Sequence, residues 1–172
     1  IPSTLASLTA LTELRLDKNA LTGTLPSVLS SLTKLRVFQV HENQLRGSIP
    51  SEYGDWTDLR TFSVHSNNLT EKLATEFGRW KKLSSFDVFG NSLEGTLPEE
   101  YGDWESIETF FVEKNSLEGP IPLSYENWAK INNANFAENN FNGIMSLCNI
   151  SKPFRELVVD CGLECDCCTS CV

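Results

Sequence analysis

The sequence has no cysteine in its first 147 residues, one methionine, two histidines, and nowhere the run of roughly 20 apolar residues that a membrane-crossing helix needs. No transmembrane span is therefore expected within it, and no charged-then-apolar leader opens it. Basic charge is scarce as well: 14 lysines and arginines face 23 aspartates and glutamates, for a net charge of −9. The deficit is uneven. Residues 1–82 carry 10 basic and 8 acidic side chains, whereas residues 83–172 carry 4 and 15. Nucleic acids and anionic bilayers both require a basic footprint, so neither is expected as a partner, and a cationic or neutral partner suits the acidic half better. Nucleophile-elbow, phosphate-loop and dinucleotide fingerprints are also missing, so neither enzymatic activity nor a cofactor is expected.

What the sequence does have is a period. Asn19, Asn43, Asn67, Asn91, Asn115 and Asn139 follow one another at intervals of 24 residues, a register that marks a repeat architecture. Five and three positions before each Asn stand apolar residues, Leu14 and Leu16 in the first repeat, Phe86 and Val88 in the fourth, alternating with polar ones. That is the pattern of a half-buried strand. After each Asn come an apolar residue, a Gly at 23, 47, 95, 119 and 143, and then Leu25, Ile49, Leu73, Leu97, Ile121 or Met145, with Pro at 26, 50, 98 and 122. Glycine allows the chain to turn there, and proline prevents a regular helix or central strand from continuing. The third repeat carries Glu71 and Ala74 instead of Gly and Pro, which predicts a looser corner. Beyond it, Leu5, Leu29, Tyr53, Phe77, Tyr101 and Tyr125 precede Leu8, Leu32, Trp56, Trp80, Trp104 and Trp128 by three residues, the spacing of a short helical turn with one buried face. Their place behind the strand assigns these aromatics to the core. The asparagines read as amides that bond backbone groups of the adjacent turn.

The segment Leu11-Thr-Glu-Leu-Arg-Leu-Asp-Lys-Asn19-Ala-Leu-Thr-Gly-Thr-Leu-Pro26 closely resembles the plant-type leucine-rich repeat. The resemblance implies an α/β solenoid, a right-handed superhelix with a concave parallel β-sheet, short helical turns on the convex side and a second short strand near the Gly-x-Ile-Pro segment. Six repeats over residues 1–146 and a cap over 147–172 follow. Ile1-Pro2 falls in the register of Leu25-Pro26, so the chain starts mid-repeat, and an N-terminal cap is expected to be missing.

In such a solenoid, side chains of successive strands line up about 4.8 Å apart on the concave face. One column there reads Arg15, Gln39, Ser63, Asp87, Phe111, Asn135, and the next Asp17, His41, His65, Phe89, Glu113, Ala137. Solvent-facing strands have no packing need for Phe89 and Phe111, so these rings beside His41 and His65 predict a contact surface for a protein or peptide, flanked by Arg15, Gln39, Asp87 and Glu113. A metal on the two imidazoles is not expected, because no third ligand among Asp17, Glu42 and Asp87 is evident at matching height. A structural role, as a scaffold subunit of a larger extracellular or lumenal assembly, is the alternative.

All six cysteines, Cys148, Cys161, Cys165, Cys167, Cys168 and Cys171, crowd into the last 25 residues. An even number in so short a tail reads as a disulfide framework in an oxidising compartment, secreted or lumenal, with 15 pairings open. Adjacent cysteines and Cys-x-Cys are poor zinc spacings. The tail resembles the cysteine-rich C-terminal cap of secreted leucine-rich-repeat proteins of diatoms and related algae. By resemblance alone, an ectodomain fragment of a receptor, or an inhibitor similar to those that plants direct at polygalacturonases, is a further reading. Asn68-Leu69-Thr70 and Asn149-Ile150-Ser151 match the N-glycosylation pattern.

Overall fold

The structure is a computed structural model that describes residues 1–143, 147, 154–163 and 167–172. Met145, Ser146, Cys148, Asn149 and Cys165, to which the sequence drew attention, lie outside the described residues. In each repeat a concave strand is followed by a shorter one: β1 (Glu13–Arg15) and β2 (Thr22–Gly23), β3 (Val37–Gln39) and β4 (Gln44–Gly47), β5 (Thr61–Ser63) and β6 (Asn68–Leu69). The series continues with β7 (Ser85–Asp87) and β8 (Glu94–Thr96), β9 (Thr109–Phe111) and β10 (Ser116–Gly119), β11 (Asn133–Asn135) and β12 (Asn140–Phe141), and the tail adds β13 (Glu156–Val159) and β14 (Ser170–Cys171). The seven odd-numbered strands and β14 form a single parallel sheet, in the order β1, β3, β5, β7, β9, β11, β13, β14. Its register is one repeat per strand, Leu14 opposite Phe38, Phe38 opposite Phe62, Phe62 opposite Phe86 and Phe86 opposite Phe110. Such a stack of short parallel strands joined by short helical turns is a leucine-rich-repeat solenoid.

The convex turns are five-residue 3-10 helices at Ser3–Ser7, Ser27–Ser31, Ser51–Asp55, Thr75–Arg79, Glu99–Asp103 and Leu123–Asn127. Proline precedes five of them and Ala74 the fourth, in extended conformation, a start that a fixed φ favours. Trp56, Trp80, Trp104 and Trp128 are sealed behind the sheet. Each indole N–H donates to a carbonyl one repeat earlier, Trp56 to Leu29, Trp80 to Tyr53, Trp104 to Phe77 and Trp128 to Tyr101, at 2.8–3.1 Å. Burying such a ring contributes about 2–3 kcal/mol, and the N–H bond removes the cost of its polar edge. Leu8, at the open end of the stack, is half exposed in the same column.

The departure at the third repeat has a visible consequence. The second strands form two three-stranded sheets, β2-β4-β6 and β12-β10-β8, joined only by an isolated bridge between Lys72 and Glu94. Glu71 nevertheless takes the left-handed φ of 69° that the corner demands, where other repeats use glycine at 76–89°. The corner is kept, and the ladder is interrupted.

Candidate functional site

The site begins with the asparagines, because they hold the loops that follow the concave strands. Asn67 Nδ2 donates to the carbonyls of Val40, Val64 and His65, and its Oδ1 accepts the Leu45 N–H. Asn43, Asn91, Asn115 and Asn139 repeat this pattern of bonds to their own and the preceding repeat; Asn19, at the end of the stack, reaches only Leu16 and Asp17. The residue before each Asn sits at positive φ, including Glu42 and Ser66 at 53° and Gly90 at 62°. This reversal brings side chains just past each strand to the same place in every repeat.

Three rings of one column consequently stack. His41 lies on His65 with centroids 4.2 Å apart and planes 13° from parallel, and His65 lies on Phe89 at 4.4 Å and 12°. The expectation of exposed phenylalanines needs correcting: Phe89 and Phe111 are only partly exposed, Phe89 with the His65 ring over it. Phe111 stands in the adjacent column, opposite Asp87 and Asn135, and makes no ring contact among the described residues. Arg15 and Gln39 are brought together at the first two strands, Nη1 donating to Oε1 at 2.7 Å, with Glu13 also on the guanidinium.

Charges ring the stack. His41 Nε2 lies 3.7 Å from Asp17 Oδ2 and its Nδ1 3.3 Å from Glu42 Oε1, while Lys18 Nζ is 3.8 Å from that same carboxylate oxygen. His65 Nε2 lies 3.8 Å from Asp87 Oδ2, and its Nδ1 is 3.1 Å from the Ser66 hydroxyl. Burial disfavours the charged form of each buried group. It lowers the His65 imidazolium to about 4, helped by repulsion from His41, and pushes the Asp87 carboxyl up to about 7 although the Phe89 N–H opposes the shift. Burial also raises the carboxyl of Glu113, whose Oε2 has no hydrogen-bond partner among the described residues.

Sequence reasoning singled out His41, His65, Phe89 and Asp87, which do come together. It missed Ser66, and it placed Glu42 at the wrong height for the imidazoles. One ligand atom from each of His41, Glu42 and His65 in fact lies within 4.8 Å of the others. The left-handed residue before each Asn was the missing signal, since it turns that side chain back toward the column.

In the tail, β13 extends the concave sheet by pairing with β11, and the Asp160 carboxylate accepts the Glu138 and Asn139 N–H groups at 2.7 and 3.3 Å, whose counterparts in the preceding repeat donate to the backbone carbonyls of Ala137 and Glu138. A disulfide joins Cys161 to Cys171, and Cys167 and Cys168 are disulfide-bonded as well. Asn68 is exposed on β6, opposite Arg46. No helix among the described residues is long and apolar enough to cross a membrane.

Comparison with known proteins agrees with this architecture. Residues 10–32 match the Leucine Rich Repeat family model, and the fold is that of plant leucine-rich-repeat ectodomains. The chain is similar to the plant peptide hormone receptor RGFR1, solved in complex with RGF2, with 26% identity and a TM-score of 0.87 over 95% of this chain and 26% of that one. It is similar to a TDR receptor, with 29% identity and a TM-score of 0.85 over 87% and 26%. The Arabidopsis receptor kinase HAESA, solved with the peptide hormone IDA and the co-receptor SERK1, shares 25% identity with a TM-score of 0.86 over 93% and 28%. The chain thus spans about a quarter of the length of these receptors. No curated protein matches it in sequence.

Proposed function

We propose that the chain is a recognition module that holds a protein or peptide on its concave sheet face, around His41, His65 and Phe89, with Arg15, Gln39, Asp87, Phe111 and Glu113 at the margins. One observation carries the reading. Apart from Phe111 in the adjacent concave column, every other aromatic ring of the repeats is spent on the core or its edges, whereas this stack of three faces the open side of the sheet. A partly covered aromatic column with charged borders is the composition of a contact surface rather than of a packing surface. The similarity to RGFR1 and HAESA, both solved with hormone ligands, supports a peptide in this role, and binding rather than catalysis as the activity.

The disulfides support work in an oxidising compartment, secreted or lumenal. We read residues 1–146 as the repeats and 147–172 as the disulfide-rich cap, and exposed Asn68 as a candidate glycan acceptor on the second-strand edge, away from the stack.

The test is a binding screen of the folded, oxidised chain against an array of secreted peptides, followed by alanine at His41, His65, Phe89 and Phe111. The captured ligand should bind at least about tenfold more weakly to the quadruple variant, as expected when central aromatic anchors are removed, while the circular dichroism stays that of the parent. Unchanged affinity in a folded variant would place the ligand elsewhere.

A further inference from the structure

The two histidines are arranged alike. Each turns Nε2 toward a carboxylate, His41 toward Asp17 at 3.7 Å and His65 toward Asp87 at 3.8 Å. A carboxylate on one ring nitrogen favours the proton there and leaves the lone pair on the other. For His65 that lone pair accepts from the Ser66 hydroxyl. For His41 it has no hydrogen-bond partner: Nδ1 is buried, and 3.3 Å away stands the carboxylate of Glu42, itself an acceptor. Carboxylates thus stand at both ring nitrogens of His41, Glu42 the nearer, and a neutral ring carries a proton for only one of them, whereas a cation between Nδ1 and Glu42 would serve both.

We propose that His41, Glu42 and His65 bind one divalent transition-metal ion of the zinc type, with Asp17 and Asp87 as positioning residues behind the two imidazoles. The ligand atoms already lie within 4.8 Å of one another, against the roughly 3.3 Å that tetrahedral bonds of about 2.1 Å impose. Two nitrogens and one carboxylate oxygen suit zinc, nickel or copper better than calcium or magnesium, which prefer all-oxygen shells.

Binding requires that His65 Nδ1 give up the Ser66 hydroxyl, 3.1 Å away, and that the two rings move. Rings stacked 4.2 Å apart and nearly parallel cannot both direct in-plane lone pairs at one ion, so the imidazoles splay about their side-chain torsions and the stack opens. The Glu42 carboxylate already has one cationic neighbour, Lys18 Nζ at 3.8 Å, which the ion must displace or share. The proposal goes beyond ligand recognition and is tested without any peptide.

Zinc chloride is titrated into the oxidised chain at pH 7.5 by calorimetry, and cobalt(II) is added in parallel to read the d–d absorption of the site. Oxidised protein is essential, since free thiols would compete. One ion per chain is expected, with loss of the His41–His65 stack visible in imidazole nitrogen NMR shifts. His41→Phe with His65→Phe preserves the possibility of ring stacking on Phe89 and abolishes binding while the fold persists. Glu42→Gln lowers affinity at least tenfold, and Asp17→Asn lowers it about tenfold and shifts the cobalt spectrum, as loss of a carboxylate behind a ligating histidine does. Absence of saturable binding at one ion per chain overturns the proposal. Retention of the ion by the folded double phenylalanine variant overturns it too, by placing the metal elsewhere.

Discussion

His65 and Asp87 sit 3.8 Å apart with opposite displacements of their proton affinities, the imidazole lowered to about 4 and the carboxyl raised to about 7. Burial causes both, since each group loses solvation in its charged form. Between about pH 4 and 6.5 folding therefore releases a proton from His65 and takes one up on Asp87, and the two pH dependences of stability oppose and cancel.

Asp87→Asn exposes the histidine's half of this balance. A depressed imidazole contributes stability that is present above its ordinary value of 6.5 and lost as pH falls through about 4, so the variant should lose on the order of 2 kcal/mol from pH 6.5 to 4 relative to the parent. His65→Gln should do the reverse, losing a similar amount as pH rises from about 4 through 7, where Asp87 must ionise. Urea denaturation across that range, with EDTA present so that only protons compete for the rings, reads both slopes; parallel curves for parent and variants would refute the opposed shifts.

The convex helices approach so closely that glycine is required. A Cβ on Gly78 would meet Glu100 Cβ at 2.6 Å and its carbonyl oxygen at 2.8 Å, and one on Gly102 would meet Ser124 Cβ and carbonyl oxygen at 2.5 Å. Each glycine replaced by alanine should cost about 1–3 kcal/mol of overpacking, measured by thermal or urea unfolding. Alanine accepted at Gly102 without loss would mean that neighbouring turns can separate freely.

At Asn67 four hydrogen bonds converge inside the stack. Asn67→Ala leaves the Leu45 N–H and the carbonyls it served without that partner, and a destabilisation of at least about 2 kcal/mol is expected. Hydrogen exchange should show the loss locally, with faster exchange at the Leu45 amide than at amides two repeats away.

Glu71 points the other way. At φ 69° a residue with a Cβ carries strain of roughly 1–2 kcal/mol that glycine does not. Glu71→Gly, restoring the residue found at this corner in the other repeats, should stabilise the chain by about 1 kcal/mol and raise Tm by roughly 2–4 °C. A lower Tm would show that the Glu71 side chain contributes more than its backbone costs.

Much of this was legible in the sequence because a solenoid repeats one local solution. The 24-residue spacing of Asn19 through Asn139 and the apolar alternation ahead of it determined the strand, its register and its buried face, since each repeat meets only its neighbours and each meets them alike. The Trp column could be assigned to the core for the same reason. The cysteine tail was readable as a disulfide framework, but not the Cys161–Cys171 pairing, because fifteen pairings satisfy the same sequence.

Tertiary structure alone decided what depends on direction rather than position. Glu42 and Ser66 look like loop residues in sequence, and only their left-handed backbone turns one toward His41 and the other toward His65. Asp87 and His65, 22 residues apart, meet because adjacent strands are in register, and their burial displaces their proton affinities. The need for Gly78 and Gly102 was equally hidden, for it arises from the distance between turns of successive repeats, a length set by the aromatic columns packed between them and the sheet.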